Sequence, residues 1–311
     1  MKINSSLYYL SITIVALSCQ KFSEGVVHEI PFPNHDPVLS TTLIVKDIDQ
    51  KLRVNVSSTA SVIDTSGPQP ISNAVITITD PQGSILYTLT QDDYREDKEI
   101  YRQNLNSDFG TITEELTLTV DAPDFDLITS STFMPPKPIL DYTYEPFADT
   151  ILEAWSEENI IRDRFTLNLY NNPGIKDFYM IHIETLYVEI ETGDTQIDSQ
   201  WLDFNLDPRI VYNSLLNGAL ISDESNISNQ TALSEIILLA PSSKSTEKYD
   251  ITKRIRIESL TESTARYYMD VNENESGGIS DLFAEPSLIF SNISSGFGCF
   301  GMVSELVVEV E

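Results

Sequence analysis

Ala74-Val75-Ile76-Thr77-Ile78-Thr79-Asp80-Pro81-Gln82-Gly83-Ser84-Ile85-Leu86-Tyr87-Thr88-Leu89 is the stretch on which the fold is read. Ala74, Ile76 and Ile78 alternate with Val75, Thr77 and Thr79, the two-residue period of a strand that buries one face. Asp80-Pro81-Gln82-Gly83 then supplies turn chemistry: an aspartate that can hold nearby N–H groups, a proline with preset φ, and a glycine that tolerates positive φ. Ser84 to Leu89 reads as the returning strand.

Outward from this hairpin the same period recurs. Leu52, Val54 and Val56 alternate with Arg53, Asn55 and Ser57, and Leu116, Leu118 and Val120 alternate with Thr117 and Thr119. Short strands separated by turn signals predict a mainly β protein whose first domain, residues 38–137, is an immunoglobulin-like β-sandwich of about 100 residues. Met134-Pro135-Pro136-Lys137-Pro138, with Pro146 shortly after, interrupts the pattern, because proline cannot donate to a central ladder. The domain boundary is placed near Pro138. A second β-rich domain, residues 138–311, follows with strands at Phe165 to Leu169 and Tyr179 to Ile183. The apolar phase slips before Leu186, Val188 and Ile190, predicting a bulge or bend. Further strands are read at Ile236 to Leu239, Lys253 to Glu258 and Leu306 to Val310. One short helix is expected, capped by Thr261, with Glu262 in its first turn and Ala265, Tyr268 and Met269 on one apolar face.

The N-terminus carries a different signal. Lys2 precedes a short apolar stretch, Leu7 to Leu17, too short for a bilayer-spanning helix of roughly 20 residues but suited to a secretory signal peptide. Ala16-Leu17-Ser18-Cys19 resembles the bacterial lipobox, with its leucine displaced from the usual third position before the cysteine. Residues 1–18 are therefore read as a lipoprotein signal peptide, Cys19 as the lipidated residue, and residues 19–37 as a tether kept extended by Pro31, Pro33 and Pro37. The membrane is reached through the lipid anchor. If Cys19 carries lipid, Cys299, the second of two cysteines, has no disulfide partner, and its apolar neighbours predict a buried, inert thiol.

The chain has 48 acidic and 19 basic residues, a net charge of −29. Nucleic-acid binding needs clustered Lys and Arg, so a nucleic-acid partner is excluded, and so is a purely electrostatic grip on anionic lipid. Chemistry is sparse. Of three histidines, His28 and His35 fall in the tether, and His182 lies mid-strand, opposite Ile181 and Ile183, where a surface or structural role is expected. No catalytic motif is recognised, no catalytic residue is assigned and no cofactor is implied; paired carboxylates of glycosidase type remain open among so many acids. Asp270, Asn272 and Asn274 have calcium-loop spacing, with Asp281 at the twelfth position, but Glu275 stands where the sharp-turn glycine belongs and Gly277 and Gly278 come late. A polar loop is expected there, and no metal.

The C-terminal stretch carries a resemblance. Phe283-Ala284-Glu285-Pro286 followed by Phe290-Ser291-Asn292-Ile293-Ser294-Ser295-Gly296-Phe297-Gly298-Cys299-Phe300-Gly301 resembles the ending of the Bacteroidetes lipoprotein family known as domain of unknown function 4249. Ser259 to Met269 matches its short helix, Ile71 to Ile78 its first hairpin, and Ile221-Ser222-Asp223-Glu224 an intervening loop. Cys299 stands where the family has an aliphatic residue. The resemblance implies an outer-membrane, surface-located lipoprotein often encoded beside SusC-like TonB-dependent transporters, and carries over no catalytic residues. Three function classes follow. They are a non-catalytic accessory or ligand-capturing subunit of such a transporter, a stand-alone carbohydrate- or protein-binding lipoprotein with Trp155 or Trp201 as stacking platforms, and an enzyme. The ligand-binding residues and the cargo are not read from the sequence.

Overall fold

The computed structural model describes residues 36–60, 67–106, 109–152, 159–170, 176–204, 207–222, 235–243, 245–276 and 288–310. The expectations for Cys19, the signal peptide, nearly all of the tether, His28, His35 and Trp155 lie outside them. The first half contributes β1 (Leu39–Lys46), β2 (Lys51–Ser58), β3 (Gln69–Pro70), β4 (Val75–Thr79), β5 (Ile85–Leu89), β6 (Tyr94–Arg95), β7 (Ile100–Asn104), β8 (Leu116–Asp121) and β9 (Ile128–Thr132). The second contributes β10 (Ile139–Leu152), β11 (Asn159–Tyr170), β12 (Phe178–Glu189), β13 (Thr195–Ser199), β14 (Ile210–Asn213), β15 (Gly218–Ser222), β16 (Ile236–Pro241), β17 (Tyr249–Leu260), the helix α1 (Glu262–Ser276) and β18 (Phe297–Val310).

One long sheet runs through both halves in the order β14-β15-β12-β17-β18-β1-β2-β7-β6, with β13 added to β12 and β3 to β2. Two smaller sheets, β5-β4-β8-β9 and β10-β11-β16, complete the set. Alternation dictates the layering. Leu43, Val54 and Tyr101 from the long sheet meet Ile76, Leu118 and Ile128 in one core, so the first half is a two-layered sandwich. Phe165, Leu167 and Ile236 meet Tyr179, Ile181 and Ile257 in a second core. A third cluster lies on the helix side, where Ala265, Tyr268 and Met269 of α1 cover Phe178, Met180, Leu260 and Val303. Each fully buried apolar side chain contributes about 1.5–3 kcal/mol. Tyr101 is admitted to the core because its hydroxyl donates to Ile71 O and accepts from Ala74 N–H, both at 2.8 Å.

The last strand closes the molecule. β18 pairs in parallel with β1 from Ser40↔Phe297 to Lys46↔Val303, then antiparallel with β17 from Leu260↔Val303 to Lys253↔Val310. Its side chains enter all three clusters, Phe300 and Met302 the first, Val310 the second and Val303 the third. The glycines make this pairing possible. A Cβ on Gly298 would stand 1.9 Å from Thr41 O, and its φ of +115° is one that L side chains rarely adopt. The crossing between the halves is tied down: Pro135 and Pro138 are buried, Ser304 donates to Pro135 O at 2.5 Å, and Lys137 reaches Asp47 at 2.9 Å.

The opening hairpin forms as its residues dictate. Asp80 Oδ1 accepts from Gln82 and Ser84 N–H at 3.0 and 2.7 Å, and Gly83 takes φ +81°. Two expectations are corrected, and one strand was missed. The phase slip in β12 is no bulge, since its register with β17 runs unbroken from Phe178↔Leu260 to Glu189↔Tyr249. Residues 178–185 are buried on both faces, one by the second sandwich and one by the helix side, so period two is lost. The final strand is also longer, beginning at Phe297 rather than Leu306. Finally, β10 was not legible, because its alternation is broken by Pro146.

Candidate functional site

Pro146 sits in β10, an edge strand, where a missing N–H costs no ladder bond. The pairing with β11 shifts there, resuming at Asp149↔Arg162 after Glu145↔Arg164. Inside this bulge Phe147 takes φ +55°, a left-handed conformation that costs a bulky L residue about 1–2 kcal/mol. Buried Asp163 holds it there. Asp163 Oδ1 accepts from Phe147 N–H at 3.0 Å and from the Ser242 hydroxyl, and Oδ2 accepts from Tyr144 OH at 3.2 Å. Burial, reinforced by the Asp163 charge, pushes the Tyr144 hydroxyl up to about 12. Lys253 lies beneath, donating to Thr185 Oγ1 and Pro241 O at 2.8 Å each. Burial lowers its pKa, and the charges of Asp163 and Asp198 oppose that.

The neighbouring residue clamps the bulge from the other side. Arg162, only 5% exposed, donates to Asp149 and to Asp203 Oδ2, the latter at 2.5 Å. The Arg162 hydrogen bond holds the Asp149 carboxyl below its usual range. Adjacent Arg162 and Asp163 thus serve opposite faces of one strand, as alternation requires. The bulge opens an apolar groove of about 440 Å³ lined by Phe147, Asn159, Ile160, Ile161, Pro241 and Ser242. Phe147 is 46% exposed, Ile161 42% and Leu152 66%.

A second cluster lies on the helix side of the long sheet. Glu184 of β12 accepts from Arg254 Nε at 2.5 Å and Arg256 Nε at 2.7 Å, and Glu258 accepts from Arg256 and Lys46. Lys46 also lies 3.4 Å from Glu305. These residues come from four adjacent strands and face one way, so opposite charges neutralise one another at low exposure. His182 belongs here, and the surface role allowed for it is corrected: it is 2% exposed. Its Nδ1 stands 3.2 Å from Asn217 O, a carbonyl that can only accept, so Nδ1 carries the proton. Nε2 has no hydrogen-bond partner and lies 3.9 Å from Glu258 Oε1. Burial, then Arg256, lowers the His182 pKa to about 4, so the ring is neutral. The geometry makes this network a brace for four strands.

The calcium-like spacing falls on α1, which extends to Ser276 past the polar loop expected after Met269. Asn272, 7% exposed, accepts through Oδ1 from Ser214 N–H at 2.8 Å, and Asp270 Oδ2 accepts from Phe290 N–H at 2.6 Å. A helix cannot wrap ligands around one ion as a loop does. Among the described residues no group of three or more His, Cys, Asp or Glu could hold a metal. Asp281, Gly277 and Gly278 lie outside those residues. Cys299 is fully buried and burial pushes its thiol up to about 12. Trp201 is 54% exposed. Sequence reasoning missed the Phe147–Asp163 bulge; its signal was a proline, Pro146, upstream of an alternating strand interrupted by the charged pair Arg162-Asp163.

A family model described as a domain of unknown function (DUF4249) matches residues 38–307. The chain belongs to the DUF4249 family. That match takes in both sandwiches, the helix and most of β18, so the bulge and the ionic brace lie within the DUF4249 region. No curated protein matches the chain. Among the described residues, no helix is long and apolar enough to cross a membrane.

Proposed function

We propose that this DUF4249 chain is an outer-membrane lipoprotein, cleaved after residue 18 and anchored by lipid on Cys19. In this reading it serves at the cell surface as a non-catalytic accessory or ligand-capturing subunit of a TonB-dependent, SusC-like transporter. The observation that carries it is Ala16-Leu17-Ser18-Cys19 at the end of the apolar stretch Leu7 to Leu17. Support for the subunit role comes from the family resemblance and from the exposed apolar groove at Phe147, since such patches mark interaction sites. Tethering raises the effective concentration of a partner in the same membrane, so a modest interface stays occupied.

The test begins with Cys19→Ala, which should abolish lipid labelling and leave unprocessed precursor. A detergent pull-down of the native lipoprotein should then recover a TonB-dependent receptor in near-equal amount. Normal maturation of the variant sinks the anchor. Recovery of the protein alone, with cleavage of a glycan or peptide by the purified material, sinks the subunit role. Exposed Trp201 favours a second reading, a stand-alone carbohydrate-binding lipoprotein that uses the indole as a stacking face. Calorimetric glycan binding lost in Trp201→Ala would select it.

A further inference from the structure

We infer that the outer face of β2, β7 and β6 carries a binding site for a small hydroxy acid, one carboxylate on a hydroxyl-bearing body, with Lys51, Arg95 and Arg102 as its cationic contacts. Register puts the cations together. Arg53 stands directly opposite Arg102, Lys51 opposite Asn104 and Arg95 opposite Ile100. Side chains two apart share a face, so all four cations lie on one side, away from the core that Leu52, Val54 and Tyr101 fill from the other. Like charges directly opposite one another destabilise a sheet. Elsewhere arginines are neutralised: Arg162, Arg164, Arg209, Arg254, Arg256 and Arg266 each meet a carboxylate. Among the described residues Lys51, Arg53, Arg95 and Arg102 form no ion pair, although the chain holds 48 acidic side chains. Arg95 is held without being neutralised, since its Nη1 donates to Asp92 O and Tyr94 O at 3.2 Å each. β6 pairs with β7 only at Tyr94↔Tyr101 and Arg95↔Ile100. Beyond that pairing a pocket of about 370 Å³ opens beside Arg102, Gln103 and Asn104.

The lining selects the ligand. It consists of Lys51, Asp93, Arg95, Arg102, Gln103 and Asn104, without one apolar side chain, so an apolar ligand gains nothing there. Guanidinium groups match a carboxylate in a two-bond fork. Asp93 sets the limit on charge. Its Oδ2 accepts from Thr90 N–H at 3.0 Å, and the carboxylate repels a second negative charge while remaining able to accept from hydroxyls. A phosphate group carries more than one negative charge at pH 7 and meets that repulsion more strongly. The net charge of −29 adds to it. One carboxylate among several hydroxyls suits this mixture of cations, amides and a single acid. The inference deepens the ligand-capturing reading and rests on it only for the use made of the ligand.

Titration calorimetry of the purified full chain compares glucuronate, glucose (a similar ring without the carboxylate) and inorganic phosphate. Glucuronate should bind at least tenfold more tightly than either, and Arg102→Gln should weaken it at least tenfold. The same substitution should leave the urea midpoint where it is or raise it, because the repulsion between Arg53 and Arg102 is relieved. Lys51→Gln is the second variant should the first misfold. Lys98→Gln, in the turn between β6 and β7 and outside the pocket lining, should leave the affinity unchanged. Equal affinity for glucose, phosphate bound as tightly as glucuronate, an affinity unmoved by Arg102→Gln or Lys51→Gln, or an equal loss with Lys98→Gln overturns the site. If a receptor co-purifies and glucuronate does not bind, the site falls and the subunit role stands. If glucuronate binds and no receptor co-purifies, the site stands without a transporter.

Discussion

At the scale of single residues, two buried groups make the molecule sensitive to change. His182 is neutral because burial lowers its pKa to about 4 from 6.5. The unfolded chain therefore binds a proton between those values that the folded chain refuses, so stability present above pH 6.5 is lost as pH falls toward 4. By pH 5 the loss is about 2 kcal/mol. Urea midpoints at pH 7 and pH 5 should show it, and His182→Gln should flatten that part of the profile. An unchanged slope in the variant would place the titration elsewhere. Phe147 behaves in the opposite sense. Because its φ is +55°, Phe147→Gly should leave stability unchanged or raise it by up to about 1 kcal/mol, where an ordinary strand position would lose as much. Asp163→Ala, which strips Phe147 N–H and the Tyr144 and Ser242 hydroxyls of their buried acceptor, should cost about 2 kcal/mol or more in the same assay.

At the scale of elements, what was legible followed from one-sided burial. β2, β4, β8 and β11 each bury one face, and alternation exposed them. β12 and β18 bury both faces, so their register and length could not be read from a period of two. The helix start was legible at Thr261, whose hydroxyl accepts from Thr264 N–H at 3.4 Å. Its end was not. Asp270 and Asn272 are poor helix formers whose tertiary bonds to Phe290 and Ser214, not propensity, keep the last turns wound. Asn272→Ala should therefore cost about 2 kcal/mol by leaving Ser214 N–H unsatisfied. Added calcium should leave the Tm of the unaltered protein where it was, and a calcium-dependent rise would restore the loop reading. The bulge around Phe147 was invisible for the same reason as the brace around His182: both depend on which side chains meet across paired strands, and no residue pattern within one strand gives that register.

At the scale of the whole molecule, β18 couples the two cores. Both tryptophans, Trp155 and Trp201, follow Pro138 in the chain, so their fluorescence reports the second half, whereas far-UV circular dichroism reports every strand. The two signals should trace one urea transition, because loss of β18 removes Phe300 and Met302 from one core and Val310 from the other. Gly298→Ala should shift both signals together, by about 3 kcal/mol or more, since its Cβ would collide with Thr41 O. Separate transitions would show that the halves fold independently despite the shared sheet.

In the export proposed above, with the N-terminus leading, the parallel register of β1 with β18 also sets an order of events. β1 reaches the far side first and β18 among the last, so the first sandwich waits, one strand short, until nearly the whole polypeptide has emerged. Throughout that interval the apolar side of β1, with Leu39, Leu43 and Val45, is open to pairing with the wrong strand. Under that proposal the first sandwich is paced by the arrival of β18, and a holding chaperone that recognises extended apolar segments should be needed most before β18 has emerged.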